Sequence, residues 1–498
     1  MPEPDATDLS LETIAGEAAW MESLGVRYPE RPLLLPRPFS EPLTNGSFVV
    51  PAAWHWRPPP EHVDARCLLR DLDILATAMA KAYAGWETAE SAGWEWAEFF
   101  EQWKSGLSRE QSPAMSLERA FAPWRELMRF QLDNHSGPVP GGAFQGLSRT
   151  LLLAEMPPEP VTAYRDDQGQ NGPRDPKNPA HQPRTCLVFE DGQLTHGAAI
   201  CHPSSLGEWD SVKAGPQWFA VRPARFDSGR TAPHAASSRM LAGRIGYLRI
   251  PTLGYLDVLR LISDRDWLAP GLAHARTLIF DVRGNQGGGA ELLAYLLGEV
   301  LGIAQRPDAT LSMRIKDSCV SRALGWGFAQ ARLHGVSGPL PHAVREQLQR
   351  TLNSIASAPP GCAVAFQAVT GRWRFGNRLD PDAAIPRLVV LTDNRCGSDG
   401  EFLVYLLAQT PGCVVAGVNT AGVGGFARPG HFVLPHTGVA FRLATALTDP
   451  YGDQRSFEGY GLNADVVLNV GEPLSDAHLV ALAESIDATS EARKTSPG

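Results

Sequence analysis

Two short, mainly apolar runs stand out in the hydrophobic pattern, because each leads into a glycine-rich turn and then into a longer stretch rich in apolar residues. The first comprises residues 277–282, followed by the turn 283–289 and then residues 290–301. The second comprises residues 388–392, followed by the turn 395–401 and then residues 402–408. Short β-branched runs are typical of buried parallel strands, whereas the longer stretches have helical spacing. The pattern predicts two strand–turn–helix corners within stacked β-β-α units.

The rest of the pattern predicts a mixed α/β (α+β) chain around these corners. Strands are predicted at residues 185–189, 218–221, 244–251, 413–417, 430–434 and 439–447. Helices are predicted at residues 67–83, 94–103, 117–132, 256–265, 321–333, 341–356 and 475–486. Residues 165–184 are polar and carry prolines and glycines, which predicts a mobile loop.

These elements divide the chain into five segments. A proline-rich arm is predicted at residues 1–64, a helical bundle at 65–138, an insert without an assigned role at 139–238, a core at 239–488 and a polar tail at 489–498. The insert shows no clear PDZ-type loop for binding peptide carboxylates.

Composition narrows the classes of partner. The chain has 498 residues and a net charge of −9, and it lacks the basic runs of a nucleic-acid surface, so small molecules or peptides are expected instead. No apolar run reaches the roughly 18 residues of a membrane helix, and the amino terminus lacks a signal-peptide pattern, which predicts a cytoplasmic protein without membrane attachment. The seven cysteines contain no C-x-x-C pair, which favours free thiols over a disulfide frame or a metal site.

The second corner places Ser398 where a strand passes into a helix. The first turn of a helix leaves backbone N–H groups unpaired, and these can stabilise an oxyanion. Gly397 and Gly400 allow a tight turn there. Ser398 is therefore a candidate nucleophile, and the alternative is that it only caps the helix.

The first corner contains Gly287 and Gly288. A dinucleotide-binding loop would need glycine where Gln286 stands, and no Gly-Lys-Ser/Thr follows, so nucleotide binding is not indicated. Glycines that let backbone N–H groups approach an anionic intermediate explain this turn better.

Five motifs, in order, resemble the C-terminal processing (tail-specific) peptidase superfamily, which includes the tricorn core protease and the chlamydial protease-like activity factor. Residues 281–288 (DVRGNQGG) resemble its D-L-R-x-N-x-G-G signature, and residues 396–401 (CGSDGE) resemble its nucleophile segment. Residues 420–424 (TAGVG) are similar to its T-x-G-x-G loop, residues 458–465 (EGYGLNAD) to its E-G-x-G-x-x-P-D segment, and residues 132–136 (LDNHS) to its D-x-H-T turn. The resemblance implies a crotonase/Clp-protease-like spiral core of β-β-α units behind a helical bundle.

Two departures from the family pattern decide which base the resemblance implies. Tail-specific members use a lysine in the T-x-G-K-G loop, but that position is Val423 here, and no lysine lies between Lys316 and Lys494. Tricorn-like members carry a histidine on the strand before the D-L-R motif, where this chain has Arg249.

The remaining arrangement resembles the chlamydial protease-like activity factor, with a histidine from the D-x-H turn and a glutamate from the E-G-x-G segment. The resemblance therefore implies a triad of Ser398, His135 and Glu458, with His431 and His436 as competing bases. A serine hydroxyl needs a base to take its proton, and a carboxylate orients the imidazole.

The resemblance implies a serine peptidase that acts on peptide or protein substrates through an acyl-enzyme, without metal or organic cofactor. The backbone N–H of Asp399 is expected to form the oxyanion hole with that of Gly287 or Gly288. Two alternatives stay open: a non-catalytic binding protein of the same fold, and a specialised peptide-maturing acyl transferase. The sequence also leaves open whether the chain forms a homo-oligomer.

Overall fold

The computed structural model describes most of the chain in separate ranges. They are residues 60–91, 93–110, 114–131, 133, 135–138, 148–166, 171–173, 182–203, 209–226, 236–254, 257–258, 261, 266, 268–289, 311–315, 324, 342–357, 364–369, 387–449 and 458–495. The predicted helix at 290–301, nearly all of that at 321–333, much of that at 256–265 and most of the proline-rich arm lie outside the described residues.

The described part of the chain contains both helices and strands. The helices are α1 (Ala65–Ala82), α2 (Trp86–Ser91), α3 (Trp96–Ser108), α4 (Leu117–Ala120), α5 (Ala122–Gln131), α6 (His342–Ser357), α7 (Asp399–Ala408) and α8 (Asp476–Thr495). The strands are β1 (His62–Asp64), β2 (Ala114–Ser116), β3 (Gly137–Pro138), β4 (Ser148–Leu153), β5 (Val161–Asp166), β6 (Asn171–Pro173), β7 (Arg184–Glu190), β8 (Gln193–Pro203), β9 (Trp209–Ala214), β10 (Gln217–Pro223), β11 (Ser237–Met240), β12 (Ile245–Arg249), β13 (Thr277–Asp281), β14 (Leu311–Ile315), β15 (Val364–Val369), β16 (Arg387–Thr392), β17 (Val414–Gly417), β18 (Phe426–Val433), β19 (Ala440–Asp449) and β20 (Val466–Leu468). The expected mixed α/β class is confirmed.

The chain forms two compact units, each assembled from separate stretches of sequence. Unit 1 contains Met1–Gly142, Leu311–Ala368 and Gly425–Ser456. Unit 2 contains Ala143–Thr310, Val369–Gly424 and Phe457–Gly498. The five predicted segments stay a prediction.

Unit 1 begins with a helix whose sequence specifies both its start and its buried face. Asp64 caps α1, since its carboxylate accepts hydrogen bonds from the backbone N–H groups of Arg66 (2.8 Å) and Cys67 (3.1 Å). The side chains that α1 buries recur at helical spacing, and they include Leu68, Leu72, Leu75 and Met79.

The single helix predicted at residues 117–132 is instead two helices, α4 and α5, which meet at Phe121. Pro123 explains the break, because it has no N–H to donate to the carbonyl four residues earlier and is tolerated only in the first turn of a helix.

The sheet of unit 1 has the order β15–β14–β19–β18, and β3 also pairs with β19. Phe441 of β19 lies at the centre of its aromatic core, with ring centroids 4.8 Å from Trp124, 5.5 Å from Phe432 and 6.1 Å from Phe121. These contacts join α5 and the α4–α5 turn to the sheet, so the helices and strands of unit 1 share one core.

Unit 2 is organised on a long sheet, with the strand order β11–β12–β13–β16–β17–β20–β7–β8–β4–β10–β9–β5–β6 among the described residues. Within the run from β12 to β7 in this order, each strand is parallel to the next. Helix α8 packs Leu479, Leu482 and Ile486 into the core formed by this sheet. The parallel arrangement predicted for the two corner strands is confirmed, and β13 and β16 are direct neighbours.

The insert at residues 139–238 contributes the antiparallel part of this sheet. Strands β8, β4, β10, β9, β5 and β6 are each antiparallel to the next. The prediction of a mobile loop over residues 165–184 is wrong at Arg165 and Asn171, which pair across the β5–β6 hairpin. Backbone pairing to β9 supplies order there that side-chain polarity does not reveal.

None of the helices in the described ranges combines the length and hydropathy that crossing a bilayer requires.

The Phe441→Ala variant tests the aromatic core of unit 1. Phe441 is fully buried, so we expect the free energy of unfolding to fall by about 3–5 kcal/mol. The matched control is Leu447→Ala on the same strand, because Leu447 is 36% exposed and its truncation is expected to cost below about 1 kcal/mol. Urea unfolding followed by tryptophan fluorescence measures both, and equal losses would contradict a core centred on Phe441.

Candidate active site

Ser398 has an unusual backbone conformation at the end of the turn between β16 and α7. Its φ is +54° and its ψ is −128°, a region that residues with side chains rarely occupy. Although Ser398 holds the N-cap position of α7, its side chain makes no capping hydrogen bond. The geometry therefore does not support the alternative that its hydroxyl serves as a helix cap.

The turn after β13 holds this conformation through Asn285. The backbone carbonyl of Asn285 accepts a hydrogen bond from the N–H of Gly397 at 2.9 Å. A Cβ atom on Gly400 would lie 2.4 Å from the same carbonyl oxygen, so only glycine fits there. The Asn285 side chain donates to the carbonyl of Ile250, at the end of β12, at 2.9 Å. The two predicted corners are thus bonded to each other.

A buried carboxylate joins the same two turns a second time. Asp393 accepts hydrogen bonds from the backbone N–H groups of Gly284 (2.8 Å) and Arg395 (3.1 Å). Burial raises the pKa of Asp393, and these two N–H groups and the Arg395 charge oppose that effect.

Gly287 and Gly288 pack directly against the nucleophile turn and the residues after β12. A Cβ atom on Gly287 would lie 2.6 Å from the backbone nitrogen of Asp399, and one on Gly288 would lie 1.9 Å from the carbonyl oxygen of Leu253. The N–H of Gly287 donates to the Asn285 side chain at 2.8 Å. The missing side chain of Gly287 therefore allows the two turns to pack closely. Its N–H already donates a hydrogen bond to the Asn285 side chain.

Glu401, which the sequence analysis did not single out, is the most connected carboxylate of this corner. It is fully buried and accepts hydrogen bonds from the backbone N–H groups of Gly422 and Val423, both at 2.8 Å. It also accepts from the hydroxyl of Thr420 and from the backbone N–H of Ser398. A glutamate three residues after an N-cap serine is the capping-box spacing, which is the signal that could have identified it.

Burial raises the pKa of Glu401 to about 7, although its hydrogen-bond donors oppose the shift. The carboxyl group therefore changes charge in the neutral range while it is bonded to the backbone of Ser398 and to the 420–424 loop.

The 420–424 loop connects the nucleophile turn to the segment that contains Glu458. The N–H of Ala421 donates to the carbonyl of Cys396 at 2.8 Å. The hydroxyl of Thr420 accepts from the N–H of Leu462 at 2.6 Å, and the N–H of Gly459 donates to the carbonyl of Gly422 at 2.8 Å. Unit 2 thus brings four of the five family-like motifs into one hydrogen-bonded set.

Arg249, at the position of the tricorn-like histidine, is held in a buried ion cluster. Asp281 pairs with Arg249 at 2.9 Å and with Arg283 at 2.7 Å, and it accepts from the hydroxyl of Tyr247 at 2.5 Å. Burial opposes ionisation of Asp281, but the two arginine charges hold its pKa below the usual value. The cluster holds the start of the 281–288 motif in place, and Arg249 serves in it as the ion-pair partner of Asp281.

His135 belongs to unit 1 and is buried, with only 4% of its surface exposed. Its backbone N–H donates to Asp133 at 2.6 Å, and the neighbouring Ser136 hydroxyl accepts from the N–H of Ala444 at 2.9 Å. Burial, and next the charge of Arg442, lower the pKa of His135 to about 3. The imidazole is therefore neutral at pH 7 in this setting.

Within the described residues, no group of three or more His, Cys, Asp or Glu side chains is placed to hold a metal ion.

Gly400→Ala tests the close approach of the two turns. The added methyl would meet the Asn285 carbonyl oxygen, so we expect the free energy of unfolding to fall by about 1–3 kcal/mol. Gly471→Ala is the matched control in unit 2, because open space surrounds Gly471 and little change is expected. Urea unfolding compares the two, and a Gly400→Ala protein as stable as the control would contradict the packing described.

Glu401→Gln tests the raised pKa. A carboxyl whose folded pKa is about 7 instead of 4.5 stabilises the fold below pH 4.5, and this contribution is lost as the pH rises through 7. The stability of the wild type relative to Glu401→Gln should therefore fall by roughly 2 kcal/mol between pH 5 and pH 8. Urea unfolding of both proteins at the two pH values measures this, and a difference that does not change with pH would refute the assignment.

Comparison with known proteins shows what this part of the chain resembles. Residues 244–468 match the family model of peptidase family S41. No curated protein matches the chain. Among solved structures, mature CPAF complexed with lactacystin is 13% identical, with 86% of this chain and 98% of that chain covered and a TM-score of 0.43. The photosystem II D1 C-terminal processing protease is 13% identical (84% and 98% covered, TM-score 0.37), and the tricorn protease is 12% identical (86% and 37% covered, TM-score 0.35). Residues 244–468 are therefore similar to a peptidase family S41 domain, as the motifs within that range implied.

Proposed function

We propose that this protein is a serine endopeptidase in which Ser398 attacks the carbonyl carbon of a peptide bond. The observation that carries the proposal is the backbone of Ser398, which lies in a strained region after a buried parallel strand while its hydroxyl makes no helix-capping bond. Strain of this kind persists where the surrounding structure enforces it, and it occurs at functional sites. Attack would release the amine and leave an acyl-enzyme, which water then hydrolyses.

We assign the oxyanion hole to the backbone N–H groups of Asp399 and Gly288. Asp399 is the first residue of α7, where the helix dipole is positive. The turn 283–289 supplies the second donor in this assignment, and the missing side chain of Gly287 lets that turn pack closely against Ser398 and Asp399.

We assign the general base to His135 and its carboxylate partner to Glu458, as the motif resemblance implies. A neutral imidazole can accept the Ser398 proton, but a pKa of about 3 is too low for an efficient base at pH 7. An ionised carboxylate next to an imidazole raises its pKa, which is the part we give to Glu458. The protonated imidazole would then deliver its proton to the leaving amine.

The substrate class we propose is peptides or proteins, in keeping with the family of the domain. Asp399 follows the proposed nucleophile directly and is 7% exposed. Besides the role of its backbone N–H, its carboxylate is a candidate for contacts to a basic group of the substrate. A peptide-library cleavage profile would separate general endopeptidase activity from cleavage of one dedicated leader.

Labelling by a fluorophosphonate probe tests the proposed nucleophile and base. Because the probe needs an activated serine, Ser398→Ala should abolish labelling, and His135→Ala should slow it by about 10²–10⁴-fold. Glu458→Gln should slow labelling as well, because it leaves the imidazole without an oriented partner. His431→Ala and His436→Ala are the controls and should label at the wild-type rate.

Each alternative outcome has a defined meaning. Undiminished labelling of both Ser398→Ala and His135→Ala would remove the proposal. Loss in His431→Ala or His436→Ala, with His135→Ala unaffected, would transfer the role of base to that histidine. A wild-type protein that binds peptides but neither labels nor cleaves them would support a non-catalytic binding protein instead.

A further inference from the structure

A cavity of about 440 Å³ lies in unit 2, away from the serine corner. Its lining includes the first residues of β7 and β20, the start of β17 and part of α8. Because these strands run parallel to β16, the cavity lies at the amino ends of the strands, whereas Ser398 follows a carboxyl end. Chemistry at the serine corner therefore does not account for this cavity.

Arg184 is the arginine whose positively charged side chain lines the cavity. One terminal nitrogen of its guanidinium, Nη2, is buried and has no hydrogen-bond partner among the residues that the structure describes. Burial lowers the pKa of Arg184, and the charge of Asp465 opposes the shift without supplying a bond to that nitrogen. A buried guanidinium N–H without a protein acceptor is unfavourable, so an acceptor that enters the cavity would gain a hydrogen bond from it.

The neighbours of Arg184 in the cavity leave its charge incompletely balanced. Asp465 uses Oδ2 to accept a hydrogen bond from the N–H of Val415 at 2.9 Å. Burial raises the pKa of Cys413 to about 12 and also raises that of Cys186, so both thiols are protonated and neutral at pH 7. The thiols therefore act as apolar wall and not as anions or nucleophiles.

Besides these groups, the lining has four aliphatic side chains and three polar ones, Thr185, His196 and Thr489. Leu187, Val414, Val466 and Ile486 line the cavity, and its volume lies in the range of small-molecule sites. One guanidinium and one nearby carboxylate fit a ligand with a single negative charge better than a dianion, because Asp465 would repel a second charge. The four aliphatic side chains offer contacts to an apolar part of that ligand. The planar guanidinium matches the geometry of a carboxylate.

We propose that the cavity at Arg184 binds a small monocarboxylate with an apolar body. The carboxylate accepts hydrogen bonds from the guanidinium, and the apolar part packs on the aliphatic wall between β17 and α8. The site is independent of the proposed peptidase chemistry, so the two proposals stand or fall separately.

Isothermal titration of the full chain with 3-phenylpropionate tests this site. Saturable binding is expected, and the uncharged 3-phenylpropanamide should bind at least about tenfold more weakly, because it lacks the charge that Arg184 attracts. Arg184→Met should lose carboxylate binding, whereas Arg222→Met, which changes an arginine whose side chain is 55% exposed, should keep it. Inorganic phosphate is the dianionic comparison and should bind more weakly than the carboxylate.

Thermal unfolding without ligand provides a second readout that does not depend on the choice of probe. Because Arg184→Met removes a buried charge and keeps the bulk of the side chain, its unfolding temperature should equal or exceed that of the wild type. The rate of fluorophosphonate labelling should not change, which separates this result from any failure of the peptidase proposal. A lowered unfolding temperature, binding that survives in Arg184→Met, no binding of the carboxylate, equal binding of acid and amide, or a preference for phosphate would each overturn the proposal.

Discussion

The site in unit 2 depends on one close contact, between the backbone of the turn after β13 and the backbone of the turn after β16. The two strands are parallel neighbours with Asp281 opposite Leu391, so both turns leave the sheet at the same edge. The Asn285 carbonyl then binds the N–H of Gly397 and leaves no room for a side chain at Gly400. The strained backbone of Ser398 lies within this contact, and a single residue can retain such a conformation only where its neighbours prevent relaxation.

Glu401 extends this contact into a larger bonded set. Its carboxylate accepts from the backbone of Ser398 and from the 420–424 loop, and that loop in turn binds the segment beginning at Glu458. A buried carboxylate is stable only when donors surround it, and here the donors come from segments far apart in the sequence. The same principle explains Asp281, which two arginines and a tyrosine surround on the neighbouring strand. Buried acids thus connect the family-like motifs of unit 2.

Much of this arrangement could be predicted from the sequence. The apolar runs identified β13 and β16 as parallel strands, and the glycines identified the turns that follow them. The antiparallel strands of residues 139–238 were largely missed, because half-exposed strands lack the continuous apolar pattern of buried ones. The break between α4 and α5 was readable at Pro123, and the capping-box spacing of Glu401 was readable too. The burial of His135 was not, since its turn owes that burial to strands remote in sequence.

The sequence by itself determined the types of element, the two strand–turn–helix corners and the chemical groups available, including the absence of lysine at Val423. These properties depend on local backbone preferences and on the spacing of apolar side chains, which neighbouring residues specify. Only the tertiary structure decided the backbone conformation of Ser398, the hydrogen bond from the Gly287 N–H to Asn285 and the ion pair between Arg249 and Asp281. Those outcomes depend on which distant groups meet when water is excluded, and no local pattern records that.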